Sequence, residues 1–312
     1  MKTFVTGGAG FLGSHLCDAL IKRGDSVICM DNFLTGSREN IRHLLDKENF
    51  HFIEADIITF DIEKLPFYPE IIFHLASPAS PKDYVKFPVE TLRVNSTGTE
   101  KCLNLAVKLK AKFLFTSTSE VYGDPLESPQ KEDYWGNVNP IGPRSMYDEG
   151  KRYAEALVMA YHRLYKIKTY LPRIFNTYGP RMRLDDGRVI PNFISQVISK
   201  KPLTIFGDGN QTRSFCYVDD LIRGLLLLVE TDYHMPVNIG NPGEFTIIEL
   251  AKKINQITGL NLAFEFLPPV PDDPRKRRPD ISLAKKLLGW TPSINLEDGL
   301  RKTLDSYLKK KK

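Results

Sequence analysis

Apolar residues in the first half of the chain recur in two alternating rhythms. Short β-branched and aromatic runs stand at 3–6, 26–31, 50–57, 71–76 and 112–116, while at 11–23 and over a longer stretch, 89–110, apolar positions return every three to four residues. The runs read as strands and the longer periods as helices with one apolar face. Strands alternating with helices predict an α/β fold, a Rossmann-type doubly wound parallel sheet. A loop rich in Pro and Gly, 124–143, precedes a helix expected over 145–165 and a strand expected over 168–176. From Gly179 the pattern loosens into short strands, Pro-containing turns and helices expected at 191–199, 218–230, 247–257, 281–288 and 296–308. That change predicts a boundary after residue 178: residues 1–178 form the sheet domain, 179–312 a smaller mixed α/β domain, with some segments crossing between them.

The first turn carries candidate chemistry. Gly7-Gly8-Ala9-Gly10-Phe11-Leu12-Gly13 lies between the first strand and the first helix. Glycines there permit a tight turn, let the backbone approach a pyrophosphate, and point the free N–H groups of a helix N-terminus at that anion. Asp31 ends the second strand 18 positions after Gly13 (31 − 13), near the spacing of about 20 expected for an acid that holds a ribose. A carboxylate there accepts hydrogen bonds from ribose hydroxyls and repels a 2′-phosphate, so NAD is expected over NADP. Asp56, ending the third strand, is placed either to meet the adenine edge or to close a surface turn.

Tyr147 and Lys151 stand four apart, on one face of the helix expected over 145–165. A phenol with an ordinary pKa of ~10 is a poor base at neutral pH. An adjacent ammonium and the positive charge of a nicotinamide favour the phenolate, which can then take a hydroxyl proton as hydride leaves. Thr118, at the end of the run 112–116 and its extension, offers a hydroxyl to hold the reacting oxygen.

Composition adds exclusions. Lys and Arg number 43 against 38 Asp and Glu, a net +5 spread without long single-sign runs except Lys309-Lys310-Lys311-Lys312, which reads as a solvated tail. Nothing there calls for nucleic acid. Cys17, Cys29, Cys102 and Cys216 form no Cys-x-x-Cys pair, so they are expected to be reduced core residues, with no disulfide and no metal. No apolar run approaches the roughly 20 residues of a membrane-spanning helix. A cytoplasmic, soluble enzyme is the expectation.

Several further stretches carry a resemblance. They are His74-Leu75-Ala76-Ser77-Pro78-Ala79-Ser80-Pro81, Ser117-Thr118-Ser119-Glu120-Val121-Tyr122-Gly123-Asp124-Pro125, Glu132-Asp133-Tyr134-Trp135-Gly136, Asn139-Pro140-Ile141-Gly142-Pro143-Arg144, Arg173-Ile174-Phe175-Asn176-Thr177-Tyr178-Gly179-Pro180-Arg181-Met182 and Asp272-Asp273-Pro274-Arg275-Lys276-Arg277-Arg278-Pro279-Asp280. With the glycine turn and the Tyr147/Lys151 pair, they make the whole chain resemble the extended short-chain dehydrogenase/reductase family of NAD-dependent nucleotide-sugar epimerases and dehydratases. The first and last of these stretches resemble most closely the members that decarboxylate UDP-glucuronate. The resemblance implies a bound NAD+ that is regenerated in each turnover, UDP-glucuronate as substrate and UDP-xylose as product, formed through a 4-keto sugar.

The same resemblance implies site residues. Tyr147, Lys151, Thr118, Glu120 and Arg277 are the expected catalytic set. Cofactor contacts are expected from Gly7, Gly10, Phe11, Leu12 and Gly13, from Asp31, Asn32, Phe33, Thr35 and Gly36, and from Asp56, Ile57, Leu75, Ser77, Arg93, Thr116 and Thr177, besides Tyr147 and Lys151. Arg93 stands where lysine is expected in relatives, which retains charge with different geometry. Substrate contacts are expected from Pro81, Tyr84, Glu120, Asn176, Arg188, Asn192, Phe206, Arg213, Tyr217 and Arg277. Arg277 is expected to neutralise the substrate carboxylate or assist at C5, with its cationic neighbours near the pyrophosphate. His74 reads as a neutral packing residue.

Ser119-Glu120 separates related reactions. A 4,6-dehydratase of this family carries Asp-Glu there, the acid protonating a departing hydroxyl, and serine cannot do that near neutral pH. Loss of carbon dioxide needs no such acid. Glu120 is left to hold ring hydroxyls, to act on the substrate carboxylate electrostatically, or to share in proton delivery at C5. Two other functions stay open: a 4-epimerase of a UDP-sugar or UDP-uronate, and a catalytically silent NAD-sensing or scaffold protein, which an intact Tyr147, Lys151 and Thr118 oppose. The helices over 89–110 and 145–165 resemble the pair that forms a four-helix homodimer interface in relatives, although their apolar residues would also serve packing within one chain.

Overall fold

The structure is a computed structural model that describes residues 1–269 and 276–309. Asp272 to Arg275 of the cationic motif and Lys310 to Lys312 of the tail lie outside the described residues.

In the first half β1 (Lys2–Thr6), α1 (Phe11–Lys22), β2 (Ser26–Asp31), β3 (Phe50–Glu54) and β4 (Ile71–His74) follow in order, with only short 3-10 turns joining β2 to β3 and β3 to β4. Three helices follow, α2 (Pro81–Lys86), α3 (Pro88–Arg93) and α4 (Thr99–Leu109), and then β5 (Lys112–Phe115), β6 (Ser117–Thr118), α5 (Ser145–Tyr165) and β7 (Thr169–Ile174). The second half contains β8 (Thr177–Tyr178), α6 (Val189–Ser199), β9 (Leu203–Phe206), β10 (Thr212–Ser214), β11 (Cys216–Tyr217), α7 (Val218–Leu228) and β12 (Pro236–Ile239). It closes with β13 (Glu244–Thr246), α8 (Ile247–Thr258), β14 (Phe264–Leu267), β15 (Lys276–Arg277), α9 (Ser282–Leu288) and α10 (Leu296–Lys309).

The large sheet runs β12-β7-β5-β4-β1-β2-β3, with β6 also paired to β7, and its pairings are parallel. Side chains alternate across it. Phe4, Ile28, Ile72 and Phe113 share one core with Cys102 and Leu103 of α4 and Ala154 and Val158 of α5. Val5, Cys29, Phe73 and Leu114 point the other way, into a core with Leu16 and Leu20 of α1 and Leu221 and Leu225 of α7. Burial of each such large side chain contributes roughly 1.5–3 kcal/mol, and coverage of both faces explains why these strands are apolar throughout. All four cysteines are buried and free.

One expectation needs correction. Residues 89–110 are not one regular helix: the run begins at Pro88, and a π turn at Val94–Gly98 separates α3 from α4. A short helix at Pro81–Lys86, for which the sequence pattern predicts no element, starts where the Ser80 side chain accepts from Asp83 N and Pro81 occupies the first turn, a favourable N-terminus that lacks an apolar period long enough to notice. Segments cross the division after residue 178: β12 pairs with β7 as an edge of the large sheet and α7 shares the core of α1. The remainder of the second half builds small sheets, β13-β10-β15 and β14-β9, beside the carboxyl edge.

Candidate active site

One cleft runs along that edge. At its dinucleotide end the backbone itself sets the shape. Gly7 has φ +70°, and a Cβ there would stand 2.7 Å from Ala76 Cα; a Cβ on Gly13 would stand 2.0 Å from the Gly7 carbonyl oxygen. Only glycine permits β1, β4 and α1 to meet so closely. Gly7, Gly10, Phe11, Leu12 and Gly13 line the cleft with Asp31, Asn32 and Thr35. The Asp31 carboxylate is buried and accepts from Ala9 N at 3.0 Å and Phe33 N at 2.8 Å. Burial raises its carboxyl from the ordinary range, against the pull of those N–H groups. Phe33 and Gly36 do not line the cleft; the Phe33 ring lies against Phe52 at 5.4 Å, and Gly36 leaves room for Asp31, whose Oδ1 would be 2.8 Å from a Cβ there. Asp56 lines the cleft, takes the Asn32 amide at 3.1 Å and accepts from Ile58 N at 2.8 Å. A glycine cradle ahead of α1 and a buried carboxylate at the end of β2 fit the diphosphate and ribose of a dinucleotide.

Past Ile57, Leu75, Ser77 and Arg93 the cleft reaches Thr116, Thr118, Tyr147 and Lys151. Thr118 hydrogen-bonds the Tyr147 phenol and caps the next turn by accepting from Glu120 N at 3.3 Å. Lys151 donates to the Thr116 carbonyl at 2.9 Å, and its Nζ is 5.8 Å from the Tyr147 ring centre. Burial brings Lys151 down to about 7. Burial and the Glu120 carboxylate push Tyr147 well up, outweighing the Thr118 hydrogen bond. The expected help from Lys151 therefore does not make a phenolate by itself; a cationic ring placed in the cleft would have to add to it. Tyr84 stacks on Tyr147, with ring centres 5.1 Å apart and 13° between planes. His74 is fully buried, held between the Thr6 hydroxyl at 2.6 Å and the Val94 carbonyl at 3.3 Å, and burial lowers it to about 3.

Beside this pair lies a cluster of buried charge. Glu120 Oε1 meets Arg277 Nη1 at 2.7 Å, and Oε2 takes Arg277 Nη2 at 2.8 Å and Arg144 Nη2 at 2.7 Å. Arg144 Nε is also 3.9 Å from Asp148 Oδ2, one helical turn on. Burial opposes the Glu120 charge, but Arg277 and Arg144 overcome it and hold the carboxyl below its ordinary range. Burial and then Glu120 act on Asp148 in the opposite sense, raising it to about 7. Arg277 comes from β15, which pairs with β10 so that Arg213 stands opposite Arg277.

Pro81, Tyr84, Asn176, Thr177 and Arg188 also line the cleft. Arg188 is held by Asp186 at 2.6 Å. Asn192, Phe206, Arg213 and Tyr217 do not line it. Asn192 donates to the Gly187 carbonyl at 3.1 Å, Arg213 is buried and donates to the Thr212 carbonyl at 2.8 Å, and Phe206 ends β9 with its ring partly exposed. Tyr217 is a core residue, edge-on to Tyr178 at 5.6 Å. Sequence reasoning missed Arg144, which lines the cleft, and Asp148 behind it, although they repeat the four-residue spacing of Tyr147 and Lys151. It missed Asn95 too, which does not line the cleft but, on the π turn, donates to the Ser77 hydroxyl at 2.9 Å and the Thr91 carbonyl at 2.8 Å. Among the described residues no group of three or more His, Cys, Asp or Glu is placed to hold a metal ion, and no helix is long and apolar enough to cross a membrane.

Residues 3–240 match the model of the NAD dependent epimerase/dehydratase family. The chain belongs to that family. Relatives within it include UDP-glucuronic acid decarboxylase 1 of Arabidopsis thaliana, 54% identical over 98% of this chain and 70% of its own length. UDP-glucuronic acid decarboxylase 1 of Danio rerio is 49% identical over 98% of this chain and 72% of its own. Among solved structures of this epimerase/dehydratase fold, UDP-glucuronic acid 4-epimerase from Bacillus cereus with UDP-glucuronic acid and NAD superimposes with TM-score 0.89 and 34% identity, covering 99% of each chain. UDP-glucose 4-epimerase from Thermotoga maritima reaches TM-score 0.92 at 33% identity over the whole of both chains.

Proposed function

We propose that this chain decarboxylates UDP-glucuronate to UDP-xylose with a tightly held NAD that ends each turnover unchanged. The observation that carries this reading is the pair of guanidiniums, Arg144 and Arg277, converging on Glu120 beside Tyr147 and Thr118. Two cations at one wall of the cleft suit a sugar that brings a carboxylate of its own. Relatives at 48–54% identity that bear the name UDP-glucuronic acid decarboxylase support it.

NAD would supply the acceptor for the C4 hydride and its return. The glycine turn and Asp31 would hold its diphosphate and ribose. Thr118 would orient the sugar O4, and Tyr147 would take the O4 proton. Oxidation at C4 places the C5 carboxylate β to a ketone, so the electrons of the breaking bond flow into an enolate as carbon dioxide leaves. Ser119, buried beside Glu120, offers no acid for the elimination of water. After C5 is protonated, Tyr147 would return its proton to O4.

Mass spectrometry of the products formed from UDP-glucuronate by the purified protein tests this. A pentose nucleotide lighter by one carbon dioxide is expected. A product of unchanged mass would overturn it in favour of a 4-epimerase, the activity named for the Bacillus cereus structure.

We propose further that two copies pair as a four-helix interface through the run over 89–110, α3 and α4, and through α5. Val85, Val89, Leu92 and Tyr153 are large apolar side chains exposed on α2, α3 and α5, and a second copy would cover them. Four buried free thiols suit a reducing compartment, and the cytoplasm is the one we propose.

A further inference from the structure

Conversion of a uronate to a pentose consumes a proton. The C5–carboxylate bond breaks, its electron pair passes into the 4-keto enolate, and a new C5–H bond forms, so that R–COO⁻ and H⁺ become R–H and CO2. The O4 proton that Tyr147 takes is given back to O4 and cannot serve C5. Each turnover also removes one negative charge from the wall formed by Arg144, Arg277 and Glu120, because a carboxylate enters and a neutral gas leaves.

Asp148 is placed to balance both changes. Its residue is 6% exposed, and its Oδ1 is buried with no hydrogen-bond partner among the described residues. Oδ2 is 3.9 Å from Arg144 Nε, while Nη2 of the same guanidinium holds Glu120 at 2.7 Å. One arginine thus spans the two carboxyl groups. The charged groups acting on Asp148 are Glu120 and Arg144 on the cleft side, Arg277 from β15 and Glu149 on its own helix, with the Tyr84 phenol of α2 close enough to be influenced in turn. Asp148 stands behind the cleft wall, joined to it through Arg144, and a buried carboxyl with an unpartnered oxygen, next to one carboxylate and sharing its arginine with the wall a second would enter, is better accommodated with a proton than without one.

We infer that Asp148 stores the proton the reaction consumes, binding it as the uronate enters and giving it up as C5 is protonated; this rests on the decarboxylase reading above. With the proton on Asp148 while the substrate carboxylate is present, and gone once carbon dioxide has formed, the total charge of the cluster stays constant through the turnover. The Asp148 carboxylate that remains is then paired with Arg144 until solvent restores its proton.

The test counts protons. In a Tyr147→Phe background, which slows turnover enough for binding to be read before products form, UDP-glucuronate and UDP-xylose are titrated calorimetrically near pH 7 in buffers of different ionisation enthalpy. The expected result is a larger proton uptake with UDP-glucuronate, by a sizeable fraction of one proton, that disappears when Asp148→Asn is added. Equal uptake with the two nucleotides overturns the inference, as does a difference that survives in the folded double variant. If that double variant does not fold, the comparison of the two nucleotides decides alone. Wild-type protein is assayed in parallel for products: formation of UDP-xylose without the uptake difference sinks the proton store alone, whereas failure to form UDP-xylose sinks the decarboxylase reading.

Discussion

Glu120 and Arg277 meet as a two-pronged ion pair, at 2.7 and 2.8 Å, although 157 residues separate them. One belongs to the turn after β6 and the other to β15 in the second half of the chain. The pair therefore fastens the second half of the chain to the cleft wall beside Tyr147. It also sets the guanidinium that would face a substrate carboxylate.

Arg277→Ala would remove that guanidinium and leave Glu120 with Arg144. We expect UDP-glucuronate to bind about 10- to 100-fold more weakly, the worth of one or two charge-assisted hydrogen bonds, while UDP-xylose, lacking the carboxylate, shifts by less than about threefold. Breaking a buried pair from one side also costs on the order of 3 kcal/mol of stability. Arg277→Lys keeps the charge but not the fork, so it is expected to restore stability more fully than uronate affinity. Titration of both nucleotides against each variant checks this, and equal losses for the two nucleotides would show that Arg277 does not read the carboxylate.

Tyr147→Phe keeps the ring that stacks on Tyr84 and removes only the hydroxyl that meets Thr118. Turnover is expected to fall by about 10²–10⁴-fold, the usual loss for a positioned proton-transfer group. Cofactor content, read from the absorbance of nucleotide released on denaturation, is expected to stay at the wild-type level. A variant that keeps a near-normal rate would show that the O4 proton goes elsewhere.

The sheet was legible because its strands are apolar runs separated by helical periods, and the glycine turn because its spacing to Asp31 has a physical reason. Lys151 and Tyr147 were legible from one-face spacing. Other features depend on contacts that no local pattern records. Arg144 looks like a loop residue before α5 until Glu120 is seen to receive it at 2.7 Å. Tyr217 looks like a polar-tipped aromatic near a strand end, yet it lies in the core against Tyr178. The π turn at Val94–Gly98 leaves no mark in the apolar spacing, and the crossing of β12 back to β7 joins residues 65 positions apart (236 − 171).

Gly13→Ala would place a Cβ 2.0 Å from the Gly7 carbonyl oxygen and 2.7 Å from Gly8 Cα. Both are backbone atoms of the turn expected to hold the diphosphate, so relief requires α1 to move away from β1. The purified variant is expected to carry no detectable dinucleotide and to unfold at a temperature several degrees lower, about 1–3 kcal/mol of overpacking. Added NAD should raise the wild-type unfolding temperature and leave that of the variant unchanged. Equal shifts would mean that the dinucleotide does not use this turn.

Asp148 links the charge cluster to stability through pH. Its carboxyl is raised to about 7 by burial and by Glu120, whereas in the unfolded chain it has the ordinary value of about 3.9. Between those values the folded state holds a proton that the unfolded state has lost, so stability falls as pH rises. The contribution is complete below the unfolded value and gone above about 7. Asp148→Asn has no such proton to lose. Urea unfolding of both proteins across pH 5 to 8 is therefore expected to show the variant gaining on the wild type as pH rises, by on the order of a few kcal/mol in all, with the two curves running parallel above the folded value. Curves that are parallel throughout would show that Asp148 is ionised in the folded protein at every pH in that range.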